Sequence, residues 1–145
     1  MDKILVLCTG NSCRSQMAHG WLLHLANLMK LDIEVCSAGV ETHGLNPLAV
    51  KVMTESGIDI SQHTSNHIDE YFSKGITHAL TVCDHAAEVC PIFPEKVDVS
   101  HHNFTDPSKQ KGTEEEVMPA YRNTRNEIRD YCLKYLQKHF IKLVE

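Results

Sequence analysis

The sequence predicts an α/β fold: a four-stranded parallel sheet flanked by helices, in a single domain spanning residues 1–145. Three observations predict it. Short apolar runs alternate along the chain with segments whose apolar residues recur at helical spacing. The first run, Ile4-Leu5-Val6-Leu7, has no polar alternation, as expected of a strand buried on both faces. The chain has 145 residues, 42% hydrophobic and 23% charged, enough for one core without disulfide staples.

Lys3 to Leu7 reads as the first strand, followed by a polar loop from Cys8 to Ser12. Met17, Trp21, Leu25 and Leu28 then recur at helical spacing, so a helix is predicted from about Cys13 to Lys30. Ile33 to Ala38 is the second strand, ended by Gly39. Asn46-Pro47 starts a helix, with Asn as cap and Pro in the first turn, and Gly57 closes it. Residues 65–72 read as a short helix, Thr77 to Val82 as the third strand, and Val97 to Val99 as a weaker fourth. Thr113 and Glu116 form a capping-box pattern. Pro119 would cost a hydrogen bond inside that helix, so its firm part is expected from Glu116 to about His139. Lys109 to Glu116 is expected to be the flexible loop.

Fourteen Lys and Arg against nineteen Asp and Glu give a net charge of −5, which argues against a nucleic-acid binder. No apolar run reaches the roughly 18 residues of a membrane span. Met1-Asp2-Lys3 leads straight into a strand, so no signal peptide is expected. A cytoplasmic monomer is the expectation. The six cysteines would then be thiols, and any disulfide catalytic. His63 with His67, and His101-His102, have spacings that can bind zinc. Solvent-facing histidines are the simpler reading, and no metal is expected.

The loop after the first strand reads Cys8-Thr9-Gly10-Asn11-Ser12-Cys13-Arg14-Ser15. Six cysteines and four arginines give a Cys-x5-Arg spacing by chance about one time in six, so its context carries the reading. Between a buried strand and a helix, Gly10 and Asn11 can adopt unusual backbone angles and turn several N–H groups inward. The helix N-terminus adds positive charge, and the Arg14 fork closes a cradle for a tetrahedral oxyanion. The substrate-binding set is Thr9, Gly10, Asn11, Ser12, Cys13, Arg14 and Ser15. In that field Cys8 is expected to ionise and act as nucleophile, with Ser12 and Ser15 donating to it. The plainer reading of Cys8 is a small buried hydrophobe ending a strand. Cys13, inside the loop, reads as structural; the alternative is a target of oxidative damage, since it shares the loop's electropositive field.

A thiolate that attacks an oxyanion displaces an oxygen that needs a proton. Asp106-Pro107, after the fourth strand, is a candidate donor; an ordinary Asp-Pro turn is the alternative. Cys83 and Cys90 stand seven apart. If the segment between them is helical, their Cα atoms lie about 10.5 Å apart along the axis. A disulfide needs about 4.4–6.8 Å, so that bond could form only if the helix unwound. Two unrelated buried cysteines, as expected of Cys36 and Cys132, are the alternative.

The Cys8–Ser15 loop, Ser37-Ala38-Gly39 and Asp106-Pro107 together resemble the low-molecular-weight protein tyrosine phosphatase fold. Cys83 with Cys90-Pro91 resembles one branch of that fold, the thioredoxin-coupled arsenate reductases. Ser108 stands where the phosphatases commonly carry an aromatic residue. The resemblance implies that arsenate binds against Arg14, that Cys8 attacks arsenic, and that Asp106 protonates the departing oxygen. It further implies a disulfide passed from Cys8–Cys83 to Cys83–Cys90 and reduced by thioredoxin, with no resident cofactor. A phosphatase with a phosphocysteine at Cys8 is the alternative implied by the same fold. Some members hold potassium near the loop; Asn11 and Ser37 match that pattern, but the acidic position is His19, so no tight potassium site is expected.

Overall fold

The structure, a computed structural model, describes residues 1–71, 73–89, 93 and 96–141. Its sheet has four parallel strands: β1 (Asp2–Cys8), β2 (Ile33–Gly39), β3 (His78–Thr81) and β4 (Asp98–His101). Their spatial order is β2-β1-β3-β4. β1 is therefore bonded on both sides, and Ile4, Leu5, Val6 and Leu7 are all at most 1% exposed. That burial is the reason for the unbroken apolar run; each such side chain contributes about 1.5–3 kcal/mol by leaving water. β4 is an edge strand with Val99 half exposed, so it needs little apolar character and reads weakly in the sequence.

Among the described residues, four α-helices surround the sheet: α1 (Arg14–Leu28), α2 (Pro47–Glu55), α3 (Asp84–Val89) and α4 (Glu114–Phe140). α1 lies against β1, β2 and α4, and α2 lies against α4. Asn46 caps α2 as expected, its Oδ1 accepting from Leu48 N at 2.8 Å and Ala49 N at 3.3 Å. Gly57, at φ 79°, ends that region in the left-handed conformation glycine favours. The short helix expected over 65–72 is a 3-10 turn at Ile68–Tyr71. α3 was not assigned from the sequence; six residues carry too little periodicity to be read.

α4 begins earlier than expected, at Glu114. Both halves of the capping box form: Thr113 Oγ1 accepts from Glu116 N, and Glu116 Oε1 accepts from Thr113 N, each at 3.3 Å. Three glutamates in the first turn complement the positive helix end. Pro119 removes the bond to Glu115 O, but Glu115 is exposed and water can replace the donor. The loop expected over Lys109–Glu116 is shorter for the same reason; a 3-10 turn, Pro107–Lys109, takes its first residue. Among the described residues, no helix is long and apolar enough to cross a membrane.

Candidate active site

α1 connects β1 to β2 on one side, and β3 lies on β1's other side. The carboxyl ends of β1 and β3 are thus a topological switch point, where loops diverge and leave a crevice for a ligand. Cys8 ends β1. Val82, donating to Leu7 O at 2.9 Å, carries β3's register one step further, and Cys83 follows. Topology alone brings two thiols 75 positions apart in sequence to one cleft. Cys8, Thr9, Gly10, Ser12, Cys13, Arg14, Cys83 and Asp106 all line that cleft.

Asn11 and Ser15, expected to bind substrate, do not line it. Asn11 adopts φ 48° and is wholly buried. Its Nδ2 donates to Ser15 Oγ at 2.9 Å, and its Oδ1 accepts from Asn66 N at 2.7 Å. Their side chains brace the loop from behind, which is what its left-handed turn requires. Gly10 and Gly39 are explained by close approach: a Cβ on Gly10 would stand 2.3 Å from His43 Nδ1, and one on Gly39 2.7 Å from Asn11 N.

Arg14, at the start of α1, reaches across the cleft mouth. Its Nη1 donates to Phe104 O at 2.9 Å, and its Nη2 lies 3.4 Å from Asp106 Oδ2. Asp106 is oriented from its own turn, where Oδ1 accepts from Ser108 N at 3.0 Å and Ser108 Oγ at 2.6 Å. The position that resembles an aromatic subsite in the phosphatases therefore holds the aspartate instead.

Cys8 and Cys83 titrate as one coupled pair. Cys83 is drawn well below the usual thiol range by a hydrogen bond from Cys8, and then by Thr9, the Ala86 N–H and Arg14, against the opposing effect of burial. Thr9 Oγ1 lies 3.3 Å from Cys83 Sγ. Cys8 is pushed up, first by that bond to Cys83 and then by burial, with Arg14 pulling the other way. The donors gather on Cys83, so these contacts favour its ionisation over that of Cys8, against the expectation of an ionised Cys8. The titration belongs to the pair. Ser12 and Ser15 are not among the groups that act on Cys8. Cys13 is buried, and burial, then the charge of Asp106, pushes its thiol up to about 12, which suits a structural role rather than an oxidation target.

Cys83 immediately precedes α3, and its sulfur accepts from Ala86 N, so it acts as that helix's N-terminal cap. Residues 84–89 are helical. Cys90 lies outside the described residues. Sequence reasoning missed the carbonyl of Phe104 and Ser108 as partners of Arg14 and Asp106; neither backbone carbonyls nor turn hydroxyls leave a spacing signature.

The histidines weighed as metal ligands have other partners. His63 Nδ1 is 3.0 Å from Gln16 Oε1, and its ring stacks on His19 at 4.2 Å. His67 Nδ1 accepts from Asp69 N. His101 bridges Thr81 Oγ1 at 2.7 Å and Asp84 Oδ1 at 2.8 Å, and the His102 ring lies on Phe104 and Tyr131. At the potassium-pattern positions, Asn11 Oδ1 accepts from Asn66 N, and Ser37 Oγ lies 2.9 Å from His19 Nδ1.

An oxyanion loop at the switch point of a 2-1-3-4 parallel sheet, with an arginine and an aspartate across its mouth, defines the class. The chain belongs to the low molecular weight phosphotyrosine protein phosphatase family, whose model matches residues 3–143. Within it, an arsenate reductase of Halalkalibacterium halodurans is 48% identical over 126 residues, 86% of this chain and 88% of that protein. A solved arsenate reductase in its phosphate-binding state superposes with a TM-score of 0.78 at 29% identity, covering 95% of this chain and 98% of the other. A low molecular weight protein tyrosine phosphatase from T. tengcongensis superposes equally well, with a TM-score of 0.80 at 27% identity, covering 95% and 99%. The fold does not separate reductase from phosphatase; the second thiol must.

Proposed function

We propose that this chain reduces arsenate to arsenite, and that the paired thiols of Cys8 and Cys83 carry the reading. A phosphatase of this fold needs one thiol, an arginine and an acid. A second thiol that hydrogen-bonds to the nucleophile is an arrangement for two-electron chemistry. The 48% identical relative named an arsenate reductase supports the same assignment.

Arsenate enters the cradle and draws Arg14 from the Phe104 carbonyl and Asp106. Cys83 takes the Cys8 proton. The Cys8 thiolate forms an S–As bond as one As–O bond breaks, and the oxygen leaves as water with a proton delivered through Asp106. Cys83 gives the proton it took from Cys8 up to solvent water, and its thiolate attacks the Cys8 sulfur. The S–As bond breaks with its electron pair going to arsenic, so As(V) becomes As(III) and leaves as arsenite. The sulfurs remain as a Cys8–Cys83 disulfide, having supplied the two electrons.

Cys83 in a disulfide is no longer the anion that caps α3. A six-residue helix without its cap is unstable on its own, so oxidation loosens the segment between Cys83 and Cys90. Cys90 then attacks Cys83 and frees Cys8. Thioredoxin reduces the resulting Cys83–Cys90 bond, and no resident cofactor is needed. A monomer working in the cytoplasm, where thioredoxin and reducing conditions exist, completes the proposal.

The test is arsenate-dependent NADPH consumption with thioredoxin and thioredoxin reductase, beside a parallel glutaredoxin–glutathione system. Turnover with thioredoxin alone is expected. Absence of turnover with either, together with steady hydrolysis of an aryl phosphate, would move the assignment to a phosphatase.

A further inference from the structure

The opposite end of the sheet brings together three side chains that no sequence spacing connects. His78 starts β3, Asp98 starts β4, and His139 lies in the last turn of α4. One ligand atom from each lies within 4.8 Å of the others, the one such group among the described residues. His139 Nδ1 and Asp98 Oδ2 are 3.4 Å apart. Tetrahedral zinc, with bonds of about 2.0–2.1 Å, holds neighbouring ligand atoms about 3.3–3.4 Å apart. That edge already has the required length, and the third ligand atom must close by little more than an ångström.

Two further features suit an ion. Thr77 Oγ1 accepts from Lys3 N at 2.9 Å, lies 3.2 Å from Lys3 O, and lies 2.9 Å from His78 Nδ1. This contact engages Nδ1 and orients the ring, as outer-shell partners orient metal-binding histidines, with Nε2 as the nitrogen for an ion. Beside the cluster, the Tyr135 ring packs on His139 at 4.4 Å. Tyr135 is 4% exposed, yet its hydroxyl has no hydrogen-bond partner among the described residues, and the charge of Asp98 acts on it. A water bound to an ion at this place, a strong hydrogen-bond donor, would give that hydroxyl oxygen a partner.

We propose that His78, Asp98 and His139 bind a divalent transition ion of the zinc type, with water completing the shell. Two imidazoles and one carboxylate are a borderline donor set, suited to zinc, nickel or copper rather than to magnesium or calcium. The ion ties the end of α4 to the starts of β3 and β4. It stands at the amino ends of the strands, away from the Cys8 cleft, so its role is to hold the fold and not to take part in turnover.

The experiment is thermal unfolding of the full chain with and without zinc. Wild type and the Cys83→Ser variant should both rise by roughly 5–10 °C at an ion concentration about a hundredfold above Kd. Asp98→Asn and His139→Gln should each lose that rise relative to their own metal-free transitions, which separates ion binding from any direct cost of the substitution. Cobalt(II) should give visible bands of nitrogen and oxygen ligation without the near-ultraviolet thiolate band. The proposal is overturned if wild type shows no rise, if the rise survives both substitutions, or if it vanishes in Cys83→Ser.

Discussion

The cleft at the carboxyl ends of β1 and β3 and the layer beneath α4 both hold buried thiols, and of these only the Cys8–Cys83 pair is built to react. Cys83 is 3% exposed and Cys132 is 0% exposed, so burial does not separate them. What separates them is the set of donors. Cys83 has Cys8, Thr9, the Ala86 N–H and Arg14 around it, and its pKa falls. Cys132 has one weak contact to Ala18 O at 3.9 Å, and burial alone raises its pKa. Reactivity in this protein follows from where strand ends place hydrogen-bond donors.

The sharpest break in that comparison is substitution of one thiol at a time. Cys83→Ser should abolish arsenate turnover while sparing any phosphate-ester hydrolysis at Cys8. Cys132→Ser should leave kcat within about twofold and instead lower Tm by a few degrees, because a hydroxyl replaces a thiol in a closed core. Reductase assays and melting curves on the two variants decide it; retained turnover in Cys83→Ser contradicts the account.

Asp106→Asn should come next. It removes the proton for the departing oxygen and should lower kcat by about 10²–10⁴-fold. The amide can still accept from Ser108, so KM for arsenate should change much less. Steady-state kinetics with arsenate would separate the two parameters.

A smaller but more specific effect concerns alkylation. Iodoacetamide should modify Cys83 below neutral pH, where an ordinary thiol loses about tenfold in rate per pH unit below its pKa. Cys13, pushed up to about 12, should stay unreacted in the folded protein across the same range. Peptide mapping after brief exposure reads both.

These contrasts also show what was legible in the sequence. The strand–loop–helix frame of the oxyanion cradle could be read because β1 is buried on both faces and therefore unbroken, and because Asn46-Pro47 and the Thr113 box are local signals. Pairwise consequences were not legible. The proton on Cys8 depends on Cys83, 75 residues away, and the inward turn of Asn11 and Ser15 depends on Asn66. The start of α4 was misplaced because Pro119 was weighed as an interior break, whereas exposed Glu115 tolerates the lost donor.

The smallest expected effect lies behind the loop. His19 is held down to about 4, chiefly by burial and then by His63. A histidine depressed in the folded state favours folding fully above its unfolded pKa of about 6.5, and that contribution is lost as pH falls toward about 4. His19→Gln should flatten the acid side of the stability curve between those values without altering its neutral limb. Denaturant titrations at several pH values would show it.

The most direct measurement is a single turnover without reductant in the Cys90→Ser variant, with arsenite and thiols counted by mass spectrometry. The account predicts one arsenite per chain and a trapped Cys8–Cys83 disulfide. No arsenite, or arsenite released with both thiols still free, would contradict it.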